Sequence, residues 1–250
     1  MIRIAKSTNI PPTLLSQDVN NEKARLNNMV GNNQQIKSKD FDETLYGAAD
    51  VKAQLREDQH DKCAYCETTL LDKGGGEVEH FRPKTKFRAT RLPRSSRHPA
   101  YYWLAYEWDN LLCSCHECNR IKSTLFPLVV EAARDIAHQN IQQEQPILLN
   151  PCFENPADIM EYRMHKVCPK TDAQGNVNTR AQQIIDDILK LNRADLKELR
   201  RRKWQAFVAR MHHDNLDFDT MFMQVVAESG LPEEDIEFLG MYTNQLFKNV

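Results

Sequence analysis

The sequence predicts an α+β protein that is mostly α-helical, with a small core stapled by cysteines. Apolar residues recur at every third or fourth position through much of residues 179–248, which is the spacing of one buried helix face. Candidate strands are short and few, near residues 77–84 and 161–168. Four of the seven cysteines form two C-x-x-C pairs, at Cys63/Cys66 and Cys115/Cys118.

The composition indicates an ordinary soluble protein. The 250 residues are 41% hydrophobic and 27% charged, and they are enough for one large domain or two small ones. No stretch of 18 apolar residues occurs and the first residues lack an apolar run, so we expect no signal peptide, no membrane span and a cytoplasmic location. A formal net charge of -2 excludes a polycation that coats nucleic acid indiscriminately.

Residues 1–59 are predicted to form a helical and irregular N-terminal extension. Pro11 and Pro12 mark a stiff extended piece. A short polar helix is expected around residues 20–30. A second helix is expected over 42–58, where Leu45 and Leu55 share a face and Asp42 or Asp40 caps the start.

Residues 129–250 are predicted to form a hairpin followed by a helical C-terminal region. Residues 129–143 read as loop or short helix, and 161–168 as a strand that a turn at 172–175 joins to a second strand. Four helices are then expected. The first begins at Thr179, and the second is longer and has Asn192 as its cap. The last two span 219–228 and 232–248.

The cysteine pairs bound the central segment, residues 60–128. A gap of two residues lets both sulfurs of a pair face one ion at about 2.3 Å, and two pairs complete a structural zinc site. A redox role is less favoured because no βαβ pattern surrounds either pair. Cys113 is not assigned to the zinc site because no cysteine lies three positions from it, although it could replace one of the four ligands. Cys152 and Cys168 are expected to be buried.

Forty-eight residues separate the two pairs, so a folded unit must lie between them. It begins with a glycine turn and a short strand that ends near Glu79 and His80. It ends with Asn110, the second cysteine pair and the start of a helix, on which Asn119 and Lys122 share a face.

In this order of residues the segment resembles the HNH nuclease superfamily. The shared pattern is C-x-x-C, then E-H, then N-L-x-x-x-C-x-x-C-N-x-x-K, and it covers roughly residues 60–127. Within this superfamily, the segment is most similar to the PtuB-type HNH proteins of Septu and retron anti-phage systems. The similarity lies in four short stretches: CAYCE, VEHFRPK, WxxxxWDNLL and CNxxKxxxFP. The resemblance implies a zinc-stapled ββα-metal core and an endonuclease activity on nucleic acid.

The resemblance also implies a role for each motif residue. His80 would be the general base, and Glu79 and Asn119 would bind a catalytic Mg²⁺ or Mn²⁺ through oxygen atoms. Asn110 would tie the loop that orients the base. A cation near the phosphate would come from Lys122, and Arg82 could do the same. The implied partner is an ABC/SMC-type ATPase that controls the nuclease.

One alternative from another class stays open. A non-catalytic zinc module that binds nucleic acid or protein needs only the cysteines and a basic run. That run has no acid between its first and last members: Arg82, Lys84, Lys86, Arg88, Arg91, Arg94 and Arg97. Whether the substrate is DNA or RNA is not predicted, because backbone contacts carry no base information.

Overall fold

Two pairs of short strands separate groups of helices in this computed structural model, which describes residues 1–70, 75–92, 99–135, 138 and 140–243. The helices and strands are α1 (Gln17–Gly31), α2 (Glu43–Tyr46), α3 (Ala49–Asp58), β1 (Glu77–His80), β2 (Leu111–Ser114), α4 (His116–Lys122), β3 (Met160–Arg163), β4 (Lys166–Pro169), α5 (Thr179–Gln183, continued by a π turn, Ile184–Ile188), α6 (Ala194–His213), α7 (Phe218–Ser229) and α8 (Leu239–Thr243). The α+β class is confirmed.

β1, β2 and α4 form the unit between the cysteine pairs. The strands are antiparallel, with Glu79 opposite Leu112 and His80 opposite Leu111. Gly76 precedes β1 with a φ of +79°, and a Cβ there would lie 2.8 Å from Cys113 Sγ. Only glycine fits this turn without a shift of the neighbouring strand. Cys115 then caps α4, since its sulfur accepts a hydrogen bond from Cys118 N at 3.4 Å.

The N-terminal extension contains the expected helices with one difference. α1 spans the region predicted around residues 20–30. The single helix predicted over 42–58 is wrong at its centre, because Ala48 is extended and divides α2 from α3. Asp42 caps α2 through Thr44 N at 2.9 Å, as predicted.

The hairpin predicted after residue 160 forms with a different turn. β3 and β4 pair around Met164, whose φ is +57°, so residues 161–168 hold both strands rather than one. The turn at 172–175 does form, but it closes only an isolated bridge between Thr171 and Val177. The prediction of a single strand over 161–168 is wrong because the left-handed backbone of Met164 reverses the chain within this run.

The start of α6 also differs from the prediction. Arg193, not Asn192, is the N-cap residue. The Asn192 side chain instead holds β4, accepting from Val167 N at 3.1 Å and donating to Val167 O at 2.8 Å. This long-range pair of bonds uses up the capping group.

The predicted helix over 232–248 is wrong over its first half. A 3₁₀ turn at Glu233–Asp235 is followed by Phe238 at a φ of +59°, and α8 begins only at Leu239. Residues 244–248 lie outside the described part of the chain.

One contiguous core links the three predicted segments. It contains Leu55 of α3, Phe126 after α4 and Trp204 of α6. Buried Glu67, directly after the first cysteine pair, accepts hydrogen bonds from the Met1 amino group and from Gly240 N. Both extensions therefore pack against the central segment. No helix within the described residues is long and apolar enough to cross a membrane.

Candidate functional site

Four buried cysteines lie close enough together to hold one metal ion. The sulfurs of Cys63, Cys66, Cys115 and Cys118 all lie within 4.8 Å of one another. Cys66 Sγ and Cys115 Sγ are 3.7 Å apart. Bonds of about 2.3 Å to a tetrahedral zinc ion place sulfurs about 3.8 Å apart, so the cluster fits a Cys₄ zinc site.

Two polar groups lie beside these sulfurs, one next to the first cysteine pair in sequence and one from a distant part of the chain. Thr68 Oγ1 lies 2.9 Å from Cys66 Sγ. Arg193 Nη1, from the start of α6, lies 3.7 Å from Cys118 Sγ. Four thiolates around a divalent ion carry a net charge of about -2, and such donors stabilise that charge.

The remaining cysteines lie outside this cluster. Cys113 faces Gly75 O at 3.6 Å, and burial raises the pKa of its thiol to about 12. Cys152 is buried as expected, whereas Cys168 is only half-buried.

A cleft of about 840 Å³ lies between the central unit and the N-terminal extension. Three predicted site residues line it: Glu79, His80 and Asn119. The N-terminal extension contributes the opposite wall, which includes Tyr46. The structure thus brings the end of β1 and the middle of α4 to one surface.

His80 is held in a defined orientation. Its Nε2 lies 2.9 Å from Ala105 O, and the Tyr46 ring packs edge-on at 4.8 Å between ring centroids. Burial, aided by the positive charge of Lys84, lowers the pKa of His80 well below its ordinary value. The imidazole is therefore neutral near pH 7. Because a carbonyl can only accept, Nε2 carries the proton and Nδ1 has the free lone pair.

Glu79 forms a buried ion pair with Lys122. Burial raises the pKa of Glu79, and the Lys122 ammonium opposes this shift. Lys122 Nζ also donates to His80 O at 2.8 Å. Lys122 is fully buried and does not line the cleft, so its ammonium supports β1 rather than facing the cleft.

Asn110 ties the end of β1 to a neighbouring turn. Its Oδ1 accepts from Arg82 N at 2.7 Å, and its Nδ2 donates to Arg82 O at 3.1 Å and Leu104 O at 3.0 Å. The Arg82 guanidinium donates to buried Glu144 at 3.0 Å and does not line the cleft. The structure therefore places the Arg82 guanidinium outside the cleft that Glu79, His80 and Asn119 line.

Glu77 belongs to the cleft although it was not predicted. Its carboxylate accepts from Asn119 Nδ2 at 2.6 Å and lies 2.7 Å from His116 Nδ1. The hydrogen bond and charge of Glu77 raise the pKa of His116. The strand period of two was the available signal, because it places Glu77 and Glu79 on one face of β1.

The basic run after β1 is mostly used inside the protein. Lys84 donates to Tyr46 Oη at 2.9 Å, Arg88 to Thr124 Oγ1 at 3.2 Å and Arg91 to Asp187 O at 2.8 Å. Arg94 and Arg97 lie outside the described residues. The described part of the run is thus not a free basic stripe.

No family model matches the chain. Comparison with known proteins finds relatives that match only part of it. Septu protein PtuB of Bacillus mycoides (strain KBAB4) is 38% identical over 119 residues, which are 47% of this chain and 40% of that protein. Septu protein PtuA of the same strain is 31% identical over 150 residues, 58% of this chain and 20% of that protein. Septu protein PtuB of Bacillus thuringiensis is 29% identical over 154 residues, 61% of this chain and 45% of that protein. The chain is therefore similar, over about half of its length, to Septu proteins, and it spans less than half the length of each of these relatives.

Proposed function

We propose that the chain is a metal-dependent HNH-type endonuclease that hydrolyses phosphodiester bonds of nucleic acid as an effector of anti-phage defence. The observation that carries this proposal is the neutral, oriented His80 in a cleft that carboxylate and amide oxygens also line. The similarity to Septu proteins supports the defence context.

His80 would act as the general base. Its Nδ1 takes a proton from a water molecule as that water attacks phosphorus. The hydrogen bond from Nε2 to Ala105 O persists through this step and holds the ring against rotation. Asn110 helps indirectly, because it fixes the backbone two residues beyond His80.

The oxygen donors of the cleft fit a hard divalent cation. Glu79 and Asn119 can supply oxygen ligands, and Glu77 lies beside Asn119 as a further donor. Mg²⁺ commonly uses one or two carboxylates and keeps several waters, so a complete protein cage is not required. When bound there, Mg²⁺ or Mn²⁺ would supply stabilisation of the charge that develops on the phosphate.

Substitution of His80 tests the proposal. Wild type, His80→Ala and the control His212→Ala, an exposed histidine on α6, are incubated with plasmid, single-stranded DNA and tRNA in Mg²⁺ or Mn²⁺. We expect wild type and the control to cleave at least one substrate and His80→Ala to lose at least a hundredfold in rate. Intact substrates in every reaction, with and without an ATPase partner, would refute the proposal.

A non-catalytic zinc module is the second candidate. It is favoured by one observation: within the described residues, the four cysteines are the only preformed cluster of three or more metal-ligating His, Cys, Asp or Glu side chains. In that case Cys115→Ser abolishes phage protection, while Glu79→Gln and His80→Ala protect as well as wild type.

We further propose an ABC/SMC-type ATPase as the partner. The resemblance to PtuB-type proteins implies this partner. The long helical C-terminal region is also larger than a nuclease core needs, so its surface could dock a partner protein. Co-expression with an ABC/SMC-type ATPase from the same organism, followed by size-exclusion chromatography, should give one joint peak. Two separate peaks would argue against the complex.

A further inference from the structure

The ammonium of Lys84 occupies a fixed position in the cleft. Its Nζ donates to Tyr46 Oη at 2.9 Å and lies 4.0 Å from the centroid of the same ring. The Phe41 ring centroid is 5.5 Å away. Aromatic contacts of this kind orient a cation without neutralising it.

Lys84 has no close counterion in the part of the chain that the structure describes. No carboxylate oxygen there lies within 4 Å of its Nζ, and its described hydrogen bond uses one of three N–H groups. Burial lowers the pKa of Lys84 to about 8, with the more distant charges of Glu79 and Glu43 opposing the shift. The group is still mostly protonated at pH 7, and a shielded charge of this kind favours an incoming anion.

The other cations predicted to meet the phosphate are already committed elsewhere. Arg82 pairs with Glu144, and Lys122 pairs with Glu79 beneath the cleft surface. Lys52 also lines the cleft, but its side chain is exposed. Among the described residues, Lys84 is therefore the shielded cation that shares the cleft with His80.

We propose that the Lys84 ammonium binds a non-bridging phosphate oxygen of the substrate beside His80, and that Tyr46 positions this ammonium. The inference rests on the proposed function for the identity of the anion as a nucleic-acid phosphodiester. Lys84 would then replace Arg82 and Lys122 as the cation that holds the scissile phosphate.

The first test measures binding, so it needs no turnover. Full-length His80→Ala protein is titrated with a fluorescent single-stranded DNA oligonucleotide at several salt concentrations, alone and with Lys84→Gln, Lys84→Arg or Lys86→Gln added. Lys86 is the matched control, because it is an exposed lysine two residues away that does not line the cleft. Zinc content and thermal melting establish that each variant is folded.

We expect Lys84→Gln to weaken binding about fivefold or more and to lower the slope of log K against log salt by about one. Lys84→Arg should keep the slope, and Lys86→Gln should change binding less than twofold. Tyr46→Phe, which keeps the charge but loses the hydrogen bond, should weaken binding less than Lys84→Gln and leave the slope unchanged. Equal effects of Lys84→Gln and Lys86→Gln, or no binding by the starting protein, would overturn the inference. Should Lys84→Gln not fold, an unchanged Tyr46→Phe affinity overturns it instead.

Failure of this inference is distinguishable from failure of the proposed function. Selective loss of binding in Lys84→Gln, with no cleavage by wild type, refutes the nuclease but keeps the phosphate site. Cleavage by wild type, with unchanged binding and cleavage in Lys84→Gln, keeps the nuclease and refutes the role of Lys84.

Discussion

At the scale of single residues, spacing along the chain predicted the cysteine cluster but not the directions of the charged side chains. The gap of two residues between Cys63 and Cys66 is a local feature of the sequence. It lets both sulfurs face one ion, whatever the rest of the chain does. Arg82 instead turns toward Glu144, which is 62 residues away in sequence. No local sequence pattern predicts a partner so far along the chain. The contact between Lys84 and Tyr46 could not be predicted for the same reason.

The buried pair of Glu79 and Lys122 gives a prediction on stability. Lys122→Met leaves the Glu79 carboxylate buried without its cation, and it should lower the free energy of unfolding by about 3–5 kcal/mol. The double variant Glu79→Gln/Lys122→Met should recover part of this loss, because no buried charge remains unpaired. Urea unfolding followed by circular dichroism measures both. A double variant that is less stable than Lys122→Met would contradict the explanation.

At the scale of elements, strong periodicity predicted helices, while single contacts decided where they begin and end. α7 matches its predicted region closely because an apolar stripe and a cap act together, whereas α1, predicted as a short polar helix, begins three residues earlier than expected. α6 starts later than predicted because the Asn192 amide bonds β4 instead of the helix end. Tertiary contacts of this kind are invisible to periodicity.

The glycine turn before β1 should tolerate no side chain. Gly76→Ala adds a Cβ 2.8 Å from Cys113 Sγ at a φ of +79°, so strain and overlap act together. Gly175 has a similar φ of +87° in open space and is the matched control. We expect Gly175→Ala to cost about 1–2 kcal/mol and Gly76→Ala to cost clearly more. Denaturant unfolding decides this, and equal costs would show that the overlap is relieved at no expense.

The contact between α6 and the cysteine cluster predicts an effect on metal retention. Arg193→Gln removes the charged donor beside Cys118, and it should weaken zinc affinity about tenfold. Arg202→Gln is the control, because within the described residues this exposed arginine pairs with Glu198 on its own helix and not with a cysteine. Competition with a chromogenic chelator reports the affinity. If both variants release zinc alike, Arg193 has no particular role in holding the metal.

At the scale of the whole molecule, the sequence divides into three segments that the structure packs on one core. The central unit is recognisable from a motif of a few polar residues. Its junctions with the extensions also include buried polar contacts, such as those of Glu67 with Met1 and Gly240. A carboxylate beside a cysteine pair could serve many purposes, so its burial could not be predicted from the sequence.

Because the core is shared, loss of the metal should destabilise the extensions as well as the central unit. Cys115→Ser, or zinc removal by a chelator, should lower the melting temperature by about 10 °C or more, since structural zinc supplies folding free energy directly. The helical signal, to which α6 is the largest single contributor, should be lost in the same transition as the near-ultraviolet signal of the aromatic core. Cys168→Ser, outside the cluster, should melt like wild type. Helices that survive in Cys115→Ser up to the wild-type melting temperature would show that the C-terminal region folds independently of the metal centre.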